Sequence, residues 1–173
     1  MTIKITKSDI TIDNLLSIED FDSETKNKIQ NSDILLVPRL DFRDKKERAF
    51  YSETSNFLKF AKTELKGYTT NICENRGQEK TIGLHSADIW LPILLISIDP
   101  LKDVVLPTII SLISNYLFYR FTNEAKEDKR QVHLQLVVHD KKRKISKCLE
   151  YDGPISGLNQ LEKIDVNKIF GRK

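Results

Sequence analysis

The stretch from Ile89 to Phe121 constrains this chain most, because it is an apolar centre set between two strongly polar halves. From Val104 to Tyr119 it contains no charged residue. Such a run enters a bilayer, fills a core or meets a partner. Asp99, Pro100 and Pro107 divide the centre. A spanning helix needs about 20 apolar residues, and Val104–Tyr119 supplies 16, with Lys102 and Asp103 before it and Arg120 after it. The run therefore reads as a helix packed inside the fold, with an interface helix and a membrane-associated segment over residues 104–119 as the alternatives. Thr108, Ser111 and Asn115 recur along it at roughly helical spacing, beside Ser114, and form a stripe that is a candidate binding face.

Around this centre, strand and helix patterns alternate. Ile3 and Ile5 among polar residues read as a first strand, and Ser23–Gln30 as a short polar helix capped by Asp22 or Ser23. Ile34-Leu35-Leu36-Val37, closed by Pro38, has the continuous apolar pattern of a strand covered on both faces. Phe57, Leu58, Ala61 and Leu65 mark a helix, with Ser52 as its expected cap and Gly67 as its expected left-handed terminus. Tyr68–Cys73 reads as a strand, which Asn75-Arg76-Gly77 is expected to turn into a hairpin with residues 80–84. Ile93–Ile98 is a second buried strand, and Asp99-Pro100 a helix start, with Pro107 kinking or restarting that helix. Val132, Leu134, Leu136 and Val138 alternate as a half-buried strand, Lys141–Lys144 turn the chain, and Ile145–Tyr151 return it. Asp152-Gly153-Pro154 then opens a short helix with Ile155, Leu158, Leu161 and Ile164 on one face.

The pattern predicts an α/β or α+β fold: a single compact domain over residues 1–173, with a mixed sheet, a central apolar helix and a C-terminal ββα unit. A possible subdivision separates residues 1–100 from 101–173. The length suffices for a core without disulfides or metal, and 39% hydrophobic with 31% charged residues fits a heavily solvated surface. Met1–Lys7 alternates and lacks the charged-then-apolar order of a signal peptide. Cys73 and Cys148 lack metal or redox spacing and read as two buried thiols, so a cytoplasmic location is expected. The net charge of +3 is uneven: from Thr122 onward 12 Lys and Arg stand against 8 Asp and Glu.

Candidate sites are few. Pro38–Asp44 leaves the carboxyl end of a buried strand, where open α/β sheets often bind ligands, and its Arg39, Asp41, Arg43 and Asp44 form a candidate anion or metal loop. His85, Ser86 and Asp88 bring an imidazole, a hydroxyl and a carboxylate close in sequence, but nucleophilic catalysis needs them convergent in space. No Gly-x-Ser-x-Gly elbow surrounds Ser86, and a cap on the following turn explains it more simply. Asp41, His85 and Asp88 stand as the candidate catalytic groups. A small hydrolase or nuclease would draw on the 39–44 loop with Glu74, Lys80 or His85. His85, His133 and His139 are too scattered for a ligand set, and neither a phosphate loop nor a dinucleotide fingerprint is present. No metal or cofactor is expected. Lys141, Lys142, Arg143 and Lys144 are candidate anion contacts, for nucleic acid or an anionic surface, against the plainer reading of a solubilising turn.

The C-terminal third runs from an apolar helix through two strands and Tyr151-Asp152-Gly153-Pro154 to a short helix through Leu158. Over Val104–Ile164 this order resembles small accessory proteins encoded beside effectors in bacterial conflict and anti-phage loci. The resemblance implies a bacterial interaction module without chemistry of its own, acting through protein–protein contacts with a partner or another copy of itself. Nucleic acid is the lesser expectation for a partner and a membrane the least.

Overall fold

A computed structural model describes residues 1–42, 47–84, 87–98, 106–121, 130–164 and 166–171 of the 173-residue chain, with the side chains of Asp41 and Phe42 left aside. Its strands are β1 (Thr2–Ser8), β2 (Ile34–Val37), β3 (Arg39–Phe42), β4 (Glu47–Tyr51), β5 (Thr70–Ile72), β6 (Thr81–Ile82), β7 (Ile89–Trp90), β8 (Ile93–Ile98), β9 (Gln131–Asp140) and β10 (Ile145–Pro154). Its α-helices are α1 (Ile12–Leu16), α2 (Ser23–Asn31), α3 (Thr54–Glu64), α4 (Leu106–Phe121) and α5 (Val166–Phe170), and Ile155–Lys163 forms a 3-10 helix.

Seven strands make one mixed sheet in the order β1-β10-β9-β8-β2-β5, with β7 joining β9 beside β8; β3, β4 and β6 make a smaller sheet. The apolar centre is explained by topology. β8 and β9 pair in parallel, and a parallel pair requires a crossover. Helix α4 lies in that connection. Leu106, Ile109, Ile110, Leu112, Ile113, Tyr116 and Leu117 are buried, packing against Leu94, Ile96, Leu136 and Val138 of the sheet. The helix is thus core, and among the described residues no helix is long and apolar enough to cross a membrane. β2 and β5 are likewise parallel, with α3 in the connection between them.

The sheet has two unlike faces. One is covered by α3, α4, the 3-10 helix and α5 over the larger core cluster. The other carries α1 and α2 over a smaller cluster of Leu15, Phe21, Ile29, Leu35, Val37, Cys73, Ile93, Leu95, Val137 and Cys148. That short cover leaves room beside it for the smaller sheet.

Several expectations need correction. Helix α3 is preceded by Glu53, which makes no side-chain capping bond, rather than being capped by Ser52. Glu53 instead accepts from the Tyr116 hydroxyl at 2.5 Å, tying α3 to α4. The helix ends at Glu64 with Leu65 as its C-cap, and among the described glycines positive φ occurs at Gly77 and Gly171, not at Gly67. Asn75–Gly77 does turn, with Gln78 N–H donating to the Asn75 carbonyl at 3.0 Å. It links two sheets rather than a hairpin, since β5 pairs with β2 and β6 with β4. The 39–44 loop is strand β3 as far as Phe42. The short helix after Pro154 has 3-10 geometry. Pro107 is the second residue of α4 as described. The expected helix start at Asp99-Pro100 lies outside the described residues.

Candidate functional site

The junction between β7 and β8, where both pair with β9, contains the irregularity on which the site is built. Ile89 and Trp90 align with Val132 and His133, whereas Leu94–Ile98 align with Leu136–Asp140. Three residues, Leu91-Pro92-Ile93, therefore stand opposite two. Pro92 has no N–H for the ladder, so the pairing breaks at that point. Leu91 N–H still reaches the His133 carbonyl at 3.1 Å. The break opens a cavity of about 220 Å³ lined by Arg39, Tyr51, Trp90, Leu91, His133, Leu134, Gln135, Glu150 and Asp152.

Strand alternation decides which side chains meet there. On β9, Val132, Leu134, Leu136 and Val138 belong to the larger core. The intervening Val137 belongs to the smaller one, so His133 and Gln135 share its face. Helices α1 and α2 cover Val137 but not Gln135, which is exposed. The antiparallel register places Asp152 opposite His133 and Glu150 opposite Gln135. Each pair is joined: His133 Nδ1 lies 2.5 Å from Asp152 Oδ1, and Gln135 Nε2 donates to Glu150 Oε1 at 3.3 Å.

His133 is held on every side. Its ring stacks on Trp90 with centroids 3.8 Å apart and planes 16° apart. Nε2 is buried, makes no hydrogen bond among the described residues, and lies 3.6 Å from Asp88 Oδ2. Asp88 also accepts the Gln131 N–H at 3.2 Å, fixing the start of β9. On the far side of Trp90, the Tyr51 ring lies at 5.4 Å with a 38° tilt. Arg39 Nη1 donates to the Tyr51 hydroxyl at 3.1 Å. The cavity thus has a cationic arm on the small sheet and an aromatic wall, with carboxylates on the β9–β10 hairpin.

Arg39 and Asp88 were legible candidates, and both belong to this neighbourhood. His85, Ser86, Arg43 and Asp44 lie outside the described residues, as does the side chain of Asp41. Glu74 and Lys80 border a different open hollow. Glu74 is buried and takes both Arg48 Nε at 2.8 Å and Nη2 at 3.0 Å, so it braces β4 against the turn after β5. Among the described residues no group of three His, Cys, Asp or Glu is arranged to hold a metal ion.

The Thr108, Ser111 and Asn115 stripe is exposed and lines an open groove with Glu64, Leu65, Pro107, Leu112 and Glu162. Past it, Phe118 and Tyr119 are 52% and 78% exposed, large values for aromatic side chains on the same helix. Lys141, Lys142, Arg143 and Lys144 form an exposed turn. Asp140 Oδ1 accepts the backbone N–H groups of Lys142 and Arg143, and Lys144 Nζ pairs with Asp13 at 3.1 Å. Tyr51, Trp90, Gln135 and Glu150 were not singled out from the sequence, His133 was set aside there as too far from the other histidines, and Asp152 was read only as part of the turn before the last helix. Only the long-range register brings them together.

No family model, curated protein or solved structure matches this chain.

Proposed function

We propose that this protein is a non-enzymatic interaction module, engaging a protein partner through the cavity between Arg39, Tyr51, Trp90 and Glu150. One observation carries the reading: His133 lines the cavity, but neither of its ring nitrogens is open there to act as a base. Its Nδ1 is engaged by Asp152, and its Nε2 is buried toward Asp88. A general base must reach the proton it removes, directly or through one water. His133 instead acts as a rigid plate, stacked on Trp90 and clamped between two carboxylates. The remaining groups, a guanidinium, a phenol, an indole and a carboxylate, are those that recognition sites present from fixed elements.

A role as an accessory component of a bacterial conflict or anti-phage system rests on the resemblance over residues 104–164. The exposed outer face of α4, from Thr108 to Tyr119, is a second surface available to the same partner or to another copy. The test is the mass of the protein purified from its native host. A complex larger than one chain is expected for the wild type, reverting to a single chain for Trp90→Ala. A wild-type protein that is strictly monomeric, with nothing co-purifying, would overturn the reading.

A further inference from the structure

We infer that the cavity captures a carboxylate flanked by an N–H donor, and that its occupant is the C-terminal end of a partner chain. This rests on the partner-binding reading and names the group that is bound. The hydrogen bonds already made inside the cavity decide the class. Asp152 is engaged by His133, and Glu150 accepts from Gln135. Lys4 stands directly opposite Glu150 in the β1–β10 register, which places one cationic residue beside it on β1. Each carboxylate of the acidic wall therefore already holds a hydrogen bond from the neighbouring strand.

Arg39 is in a different position. Its guanidinium is exposed, and among the described residues it gives one hydrogen bond, to the Tyr51 hydroxyl. Four further N–H donors are left in a planar fork that matches a carboxylate. Tyr51 accepts from Arg39, so its own O–H can donate to the same anion. Glu150, with only a 3.3 Å bond from Gln135, has lone pairs for the amide N–H preceding a chain end. The volume of about 220 Å³ lies below the range typical of drug-sized ligands and suits one residue. Trp90 and Leu91 supply an apolar wall for its side chain. Terminal carboxylate capture is a recurring way in which domains read peptides.

The chain has a single tryptophan, and it is Trp90. Its fluorescence is therefore the single indole signal of the chain, and it reports on this cavity and on the adjoining hollow that Trp90 also lines. The probes are acetyl-Gly-Ala-Leu with a free carboxylate, the same peptide as its C-terminal amide, and free leucine. The free acid should shift the emission and bind about tenfold or more tighter than the amide, as expected for charge-assisted bonds. Arg39→Leu should bring the two peptides to within about twofold of each other. Tyr51→Phe, which keeps the ring, should narrow the gap partly. Lys62→Ala on the exposed face of α3 should change nothing.

Equal binding of acid and amide, or an acid preference that survives Arg39→Leu, would overturn the inference. Free leucine binding as tightly as the peptide would overturn the chain-end assignment in favour of a free amino acid. If the native complex still dissolves with Trp90→Ala while the peptides show no acid preference, the partner reading stands and only the carboxylate assignment fails. Loss of the complex from the wild type as well would take down both.

Discussion

Gly157 shows how a single residue is fixed by its neighbours. Tyr151 is fully buried, and its hydroxyl donates to the Pro154 carbonyl where β10 gives way to the 3-10 helix. A Cβ at position 157 would overlap that hydroxyl and lie 2.7 Å from Met1 Sδ. The methionine end can move, but Tyr151 is packed among Leu158 and Leu161 in the larger core. Overpacking of this kind costs about 1–3 kcal/mol, so Gly157→Ala should lower the urea midpoint by a corresponding amount. Gly67→Ala is the control. Nothing lies within 4 Å of a Cβ there and φ is not positive, so a change within about 0.5 kcal/mol is expected. Equal effects at the two positions would remove close approach as the reason for Gly157.

Between elements, two polar contacts set what is most sensitive. Arg48 on β4 holds the buried Glu74 with two hydrogen bonds, while its guanidinium lies 4.7 Å above the Phe21 ring. Arg48→Ala would leave a buried carboxylate unpaired, which costs about 3–5 kcal/mol. Adding Glu74→Leu to the same chain should recover a large part of that loss in chemical denaturation, and no recovery would deny the pair its bracing role. In the β9–β10 hairpin, His139 Nδ1 lies 2.9 Å from Ser146 Oγ, its direct cross-strand neighbour. Burial holds the His139 imidazole below its ordinary value, against the pull of Asp13 and Asp140. The folded state then binds fewer protons than the unfolded chain as pH falls below about 6.5, so stability is lost on the acid side. His139→Gln should flatten the slope of urea midpoint against pH between about 7.5 and 5; an unchanged slope would place the acid sensitivity elsewhere. These contacts also mark where sequence reading stops. The runs Ile34–Val37, Ile93–Ile98 and the alternation of Val132–Val138 reveal their strands, because burial period is a local property. His133 facing Asp152, or Trp90 facing His133, depends on which strands become neighbours and in what register. Pro92 was visible, but the bulge it makes against β9 was not. The hairpin expected at Asn75–Gly77 failed for the same reason, since a tight turn does not say whether its two arms will pair.

For the molecule as a whole, the unequal covering of the sheet governs how it opens. The larger core is roofed by the 16-residue α4 with three further helical elements, whereas the smaller one is roofed by α1 and α2, of 5 and 9 residues. Short helices draw their stability from packing, so the α1–α2 layer is expected to lift more readily than the layer built on α4, as cooperative local openings do elsewhere. Cys73 and Cys148 both lie beneath it as free thiols. Burial pushes each up to about 12, with Glu74 adding to the effect at Cys73 and Glu150 at Cys148. The neutral thiol is therefore favoured in the fold. In the unfolded chain a thiol ionises near 8.5, so above that pH the unfolded state holds fewer protons than the native one. By linkage, stability falls as pH rises from about 9 toward 12, by up to about 1.4 kcal/mol per pH unit for each thiol. Cys73→Ala should cost stability at neutral pH yet flatten this alkaline decline. Thiol labelling near pH 8 gives the sharper readout. If the layer lifts as one unit, both cysteines react slowly and at a common rate, because one opening exposes both. Two separate rates would mean that α2 leaves Cys73 independently of α1 over Cys148, and the smaller core would then be two local contacts rather than a single cooperative layer.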